Sequence, residues 1–214
     1  MPGRFITFEG GEGVGKSTQI ARTAQWVRSR GVEVIVTREP GGTPRAEVLR
    51  KVLLERDAES MPQSCELLLM FAARATHLVN LIEPALDRGT WVLCDRFTDA
   101  TFAYQGGGRG LADRDIEALV RIVHPTRQPD LTLLLDAPAV IGMARARARN
   151  AAHGPDRFET ERTEFFDRVR QRYLERAQRE PARIKVIDAQ ASLDIVQSAI
   201  TAQIQAAFFT ATHA

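Results

Sequence analysis

The chain has 214 residues, of which 44% are hydrophobic, ordinary values for one globular α/β domain. Its 29 basic and 27 acidic residues leave a net charge of +2, which gives no electrostatic case for a nucleic-acid or membrane-surface partner. Cys65 and Cys94 sit among apolar neighbours outside any CxxC pair, so they read as buried free thiols of a reducing cytoplasm and not as zinc ligands.

The first run, "RFITFEG", reads as a strand and passes into "GGEGVGKST". A helix over 17–30 follows and ends at Gly31, and "VEVIVTRE" is the second strand. "PRAEVLRKVLL" reads as a helix. "SMPQSCELLLMFAARATHLVNLIEPAL" reads as a long apolar helix with Ser60 as candidate cap, bent or ended before Pro84. "TWVLCD" is a buried strand, and the glycines at 106–108 read as a loop. After the helix "ADRDIEALVRIV" come the strand "DLTLLLDA", the helix "PAVIGMARARARN", a loop at "NAAHGPD" and the helix "TERTEFFDRVRQRYLERAQRE". The strand "RIKVIDA" and a helix over 193–208 close the chain. Strands this apolar are covered on both faces, so the expectation is a five-stranded parallel sheet with helical crossovers, in a single domain spanning 1–214. No apolar run reaches the roughly 18 residues of a membrane span, and no signal-peptide pattern precedes the first strand. The chain is expected to be soluble and cytoplasmic.

Gly10-x-x-x-x-Gly15-Lys16-Ser17 has the phosphate-loop spacing, and it follows a strand and opens a helix. Successive backbone N–H groups at a helix N-terminus form a nest for anions. Gly10, Gly11, Glu12, Gly13, Val14, Gly15, Lys16, Ser17 and Thr18 are therefore read as the ATP-binding loop, with Lys16 on the outer phosphates and the Ser17 hydroxyl toward Mg²⁺. Asp95, at the end of "WVLCD", is the second candidate on the metal side. Arg96 beside it can clamp an acceptor phosphate with its planar fork. Arg38 in "TREPGGT" and Glu9 lie at the same edge, where open parallel sheets bind ligands. Phe71 and Arg74 are three apart on one helix face, although Phe71 taken alone reads as core. Arg145, Arg147, Arg149 and Arg157 flank a Gly-Pro loop and read as a lid over about 145–160.

"FEGGEGVGKST", "TREPGGT", "LLMFAARATH", "DRFTDATFAYQGGGRG" and "PDLTLLLD", in this order, resemble bacterial thymidylate kinase over nearly the whole chain. The resemblance implies a P-loop kinase fold, phosphoryl transfer from ATP to dTMP with Mg²⁺, and a homodimer. It implies that Arg38 and Arg96 bind the acceptor phosphate, with Glu9 near the sugar and that phosphate. It places Arg74 and Thr101 at the thymine, an aromatic stacked on the ring, Tyr104 against the sugar, and Gln105 on the same nucleotide wall. The aromatic stands more often four residues before the arginine in that family; here the position is Met70, and Phe71 is three before. Glu12 resembles the family's second type, in which lid arginines supply the loop's missing positive charge, and Arg149 and Arg157 are the candidates.

Other kinases of the same fold acting on a different nucleotide share most of these features, as does a GTP or ATP switch. A GTP switch would need an Asn-Lys-x-Asp signature, and neither Asn80 nor Asn150 is followed by lysine.

Overall fold

The computed structural model describes residues 2–55, 59–149, 157–158 and 161–209; the side chain of Arg149 also lies outside the described set. Five strands, β1 (Phe5–Glu9), β2 (Val34–Arg38), β3 (Trp91–Asp95), β4 (Leu131–Asp136) and β5 (Ile184–Asp188), form one sheet in the order β2-β3-β1-β4-β5. Every pairing is parallel, from Phe5 opposite Val92 to Asp136 opposite Asp188.

Period-two alternation decides which face each strand residue covers. Ile6 and Phe8 of β1, with Leu131, Leu133 and Leu135 of β4, pack against α1 (Lys16–Arg28) and α9 (Leu193–Phe208) through Ile20, Ala24, Val27, Val196, Ile200 and Ile204. On the opposite face Phe5, Val92 and Cys94 meet Leu78, Ile82 and Ala85, while Leu134 meets Phe166, Val169 and Tyr173. Each fully buried Phe or Leu contributes roughly 1.5–3 kcal/mol of transfer free energy, which is what fixes the register. Cys94 is buried as expected, but Cys65 is only half-buried.

The remaining helices are α2 (Pro44–Leu54), α3 (Gln63–His77), α4 (Glu83–Asp87), α5 (Thr98–Thr101), α6 (Asp113–Val123), α7 (Ala139–Arg149) and α8 (Thr163–Arg179). Thr43 caps α2 by accepting from the Ala46 N–H, with Pro44 in the first turn. Ser60 does not cap α3, which starts later, after Pro62. A π-helical turn over Leu78–Ile82 joins α3 to α4, where Pro84 enters the first turn and removes one donor.

Residues 106–108 are not a loop. They lie in a π-helical stretch, Phe102–Gly108, that continues α5. Their glycines serve close packing: a Cβ on Gly108 would overlap the Phe165 ring of α8. Residues 150–156 and 159–160 of the expected lid lie outside the described residues.

The chain leaves β1 toward β2 and leaves β3 toward β4, on the other side of the sheet. The carboxyl ends of the neighbouring strands β1 and β3 therefore open a crevice at a switch point.

Candidate active site

The crevice holds a cleft of about 420 Å³. One wall is the loop after β1, with Glu12, Gly13, Val14, Gly15, Lys16, Ser17 and Thr18; Gly10 and Gly11 line its underside. Gly13 has φ +66, a region that L side chains avoid. Its Cα also faces the Gly142 carbonyl of α7 with no room for a Cβ, and Gly142 meets the Glu12 carbonyl in the same way. The first turn of α1 has no side-chain cap, so its N–H donors remain available to an anion. Lys16 Nζ donates to the carbonyls of Gly10 (3.2 Å) and Gly11 (2.8 Å). Burial, followed by the nearby Arg96 charge, holds its pKa below the ordinary lysine value.

Arg96 follows β3 directly and adopts φ +70. A non-glycine residue there costs on the order of 1–3 kcal/mol, which the surrounding bonds offset. Its Nη1 donates to the Gly10 carbonyl (2.8 Å) and Tyr173 Oη (3.2 Å), and its Nη2 to Glu12 Oε1 (2.7 Å). Tyr104 donates to the same Glu12 oxygen at 3.0 Å, and its ring lies 4.7 Å from the Arg96 guanidinium carbon. Glu12 is thus neutralised by Arg96, a partner that its position between glycines did not suggest.

Glu9 does not border the cleft. It is fully buried one layer beneath, where its two oxygens accept from the Phe97 N–H and the Tyr173 hydroxyl, both at 2.7 Å. Burial pushes its pKa up to about 8; Asp99 adds to the rise, while Arg96 and the two donors oppose it. Tyr173 went unnoticed in the sequence because its place on the apolar stripe of α8 reads as plain core. Only its hydroxyl, which links Glu9 to Arg96, distinguishes it from a phenylalanine.

The opposite wall carries Arg38, Glu39, Arg50, Leu54, Met70, Arg74, Thr101, Tyr104, Gln105 and Phe158. Arg74 is 2% exposed and held on three sides. Its Nε donates to Glu39 Oε2 (2.7 Å), and its Nη2 to the Phe97 carbonyl (3.2 Å) and Thr101 Oγ1 (3.0 Å). Its Nη1 is buried with no hydrogen-bond partner among the described residues. A buried guanidinium donor left unpaired in a residue of the cleft wall is a candidate for a ligand acceptor atom. Gln105 Nε2 is fixed on Glu66 Oε1 at 2.8 Å.

Two further expected residues stand elsewhere. Phe71 packs with Leu67, Phe102 and Ile116 and stacks on His124, so Met70 takes its place on the cleft wall. Phe71 lies on the same helix face as Arg74 but behind it, its ring centre 4.8 Å from the Arg74 guanidinium carbon. Arg157 does not reach the phosphate loop; its Nη2 pairs with the buried Glu66 carboxylate at 2.7 Å and its Nε with the Leu53 carbonyl at 2.9 Å. Glu66 is 1% exposed and draws cations to itself, Arg109 as well as Arg157. Arg38 lines the cleft but is held by Glu47, at 3.0 and 2.9 Å to its two oxygens. Arg149 ends α7, and its side chain lies outside the described residues.

Asp95 Oδ1 is buried without a hydrogen-bond partner among the described residues, and the exposed Ser17 hydroxyl shares the cleft with it. A carboxylate and a hydroxyl are the oxygen donors that a hard cation such as Mg²⁺ takes from protein, so these residues fit that ion.

The family model described as thymidylate kinase matches residues 8–200. The thymidylate kinase of Chromohalobacter salexigens is 57% identical over 204 residues, covering 95% of each chain. That of Pseudomonas syringae pv. syringae is 55% identical over 200 residues, covering 94% of each. The crystal structure of thymidylate kinase from Ehrlichia chaffeensis superposes with a TM-score of 0.76 at 33% identity, over 96% of this chain and 99% of that one. With a glycine-rich loop of phosphate-loop spacing and a wall bearing Arg38 and Arg74 in one cleft, and relatives matched over nearly its whole length, this chain belongs to the thymidylate kinase family.

Proposed function

We propose that the protein transfers the γ-phosphoryl group of ATP to dTMP, giving ADP and dTDP on the route to dTTP. The observation that carries this reading is that one cleft is lined both by the uncapped glycine loop and by Arg74, whose Nη1 has no hydrogen-bond partner among the described residues. An oxygen of the dTMP phosphate attacks the γ-phosphorus in line as the bond to the ADP oxygen breaks, with no covalent enzyme intermediate. The loop amides and Lys16 hold the donor phosphates. Arg96 and Arg38 exchange their carboxylate partners for the acceptor phosphate, Arg74 and Thr101 meet the base, and Tyr104 and Gln105 wall the sugar. Met70, Leu54 and Phe158 supply apolar surface on the same wall. Asp95 and Ser17 would hold Mg²⁺, which when bound neutralises charge on the donor phosphates. Arg149 supplies lid charge within a single kinase domain, 1–214, that works in the cytoplasm.

Coupled ADP release tests the substrate assignment. ADP should appear with ATP, Mg²⁺ and dTMP together and fall to background when any one is withheld. Release with dUMP, UMP, CMP or AMP but none with dTMP would overturn it.

A homodimer is the proposed assembly. Leu68 (57% exposed) and Val79 (70%) lie on one face of the α3 stretch with Ala72, and Ile122 of α6 is 76% exposed. Contrary to the expectation from the sequence, Gln63–Asp87 is long and apolar enough for a membrane span, but 44% of its most apolar window is buried in the fold, and a second copy would cover its apolar face. Light scattering should report twice the 23.8 kDa chain mass, and the Leu68→Glu, Val79→Glu double variant should report one chain. A monomeric wild type would rule the dimer out.

A further inference from the structure

The geometry points to His77 as a positioning residue for acceptor recognition: through Glu39 it sets the guanidinium of Arg74 against the base. The inference rests on the proposed dTMP reading and adds a residue that touches no substrate. Four buried groups form a line from β2 to the cleft. Thr37 Oγ1 and His77 Nε2 are 2.7 Å apart, His77 Nδ1 and Glu39 Oε1 3.0 Å, and Glu39 Oε2 and Arg74 Nε 2.7 Å. The side chains of His77, Glu39 and Arg74 are 0%, 4% and 2% exposed.

Glu39 accepts from both neighbours. Burial alone would raise its pKa, but Arg74 and His77 outweigh burial and hold it below the ordinary value. An ionised carboxylate only accepts, so His77 Nδ1 carries the proton and Nε2 faces the Thr37 hydroxyl.

The role of His77 follows from what its absence would release. A side-on carboxylate takes an arginine through Nε and Nη2 together. With Oε1 occupied by His77, Glu39 meets Arg74 through Oε2 and Nε alone. Nη2 then stays with the Phe97 carbonyl and Thr101 Oγ1, and Nη1 stays buried in the cleft wall without a hydrogen-bond partner among the described residues. Without the imidazole, Oε1 would compete for Nη2 and turn the guanidinium away from the base. Independent support comes from the turn above. A Cβ on Gly42 would overlap both His77 Nε2 and Thr37 Oγ1, so the backbone leaves room for this pair and nothing more.

The test compares steady-state kinetics of the full-length enzyme with His77→Leu, His77→Gln and Thr37→Val variants. The glutamine amide restores one donor and one acceptor, whereas leucine restores neither. His77→Leu should raise the KM for dTMP about tenfold while kcat and the KM for ATP stay within about twofold. His77→Gln should lie within about threefold of wild type in every parameter, and Thr37→Val between the two. An unchanged KM for dTMP in folded His77→Leu overturns the inference. So does an equal rise in both KM values, which marks a merely structural role. If His77→Leu does not fold, an unchanged KM for dTMP in Thr37→Val overturns it instead. Failure of the wild type to release ADP with dTMP would sink the substrate assignment and is visible before any variant is made.

Discussion

Arg96→Ala should lower kcat about a thousandfold while an ATP analogue still binds the phosphate loop. The size follows from what the side chain does at one point. It is a fixed cation between the glycine loop and the opposite cleft wall, tied to the Gly10 carbonyl, Glu12 and Tyr173. Its loss removes charge stabilisation from the transferred group and leaves the Glu12 carboxylate facing the phosphates with its repulsion less opposed. Arg96→Lys keeps the charge but not the planar fork, and should recover only a small part of the rate. Arg96→Gly separates backbone from side chain. Glycine tolerates φ +70 better than alanine, so it should be the more stable of the two truncations, by about 1 kcal/mol, and equally inactive. Rapid-quench turnover with a fluorescent nucleotide titration checks the set. A kcat within tenfold of wild type in Arg96→Ala would remove the residue from the chemistry. The same variant should shift the pH dependence of stability. Glu9, raised to about 8 in the fold, favours folding fully below its unfolded value and loses that contribution as pH rises through 8. Arg96 opposes the rise, so its removal carries the loss to higher pH, which urea titrations at pH 6 and 9 would register.

Arg74→Met should lower stability by about 3–5 kcal/mol, because it leaves the buried Glu39 carboxylate with His77 alone. For a chain of this length that is a fall in Tm of roughly 10 °C. Glu39 is held below the ordinary carboxylate range, so its contribution is present above that range and fades as acid protonates it. The loss in Arg74→Met should therefore be largest near neutrality and shrink toward pH 4. Adding Glu39→Gln removes the orphaned charge and should restore much of the stability, while acceptor binding stays lost because no donor replaces Nη1. Calorimetry beside a dTMP titration separates these two effects. A double variant that recovers dTMP affinity along with Tm would show that Arg74 only supports the fold.

The fold was legible because its signals are local. Runs such as "FITF" and "LTLLL" declare two-sided strands, and the loop after β1 carries its own spacing. The gathering of Lys16, Asp95, Arg96 and Arg38 around one cleft was legible for the same reason, since it needed only the sheet to be parallel. What escaped was the partner of each charge. Nothing in "GEGVG" tells that Glu12 pairs with an arginine 84 residues later, or that Glu66, inside an apolar run, pairs with Arg157. Helix phase was the other loss. Met70 and Phe71 differ by one position, about 100° of rotation, and only packing against Phe102 and Ile116 settles which of them faces the cleft. The run at 106–108 misled because glycine serves tight packing as often as turning.

The paired approach of Gly13 and Gly142 has a consequence for how this sequence can vary. At each position an added methyl group meets a main-chain carbonyl of the other segment, not a side chain that a second mutation might trim. No compensating substitution exists, so a mutational scan should find both positions intolerant, alone and in every combination. Two points far apart in the chain are thereby locked to a single allele, and the glycine loop and α7 can diverge only around that shared seam.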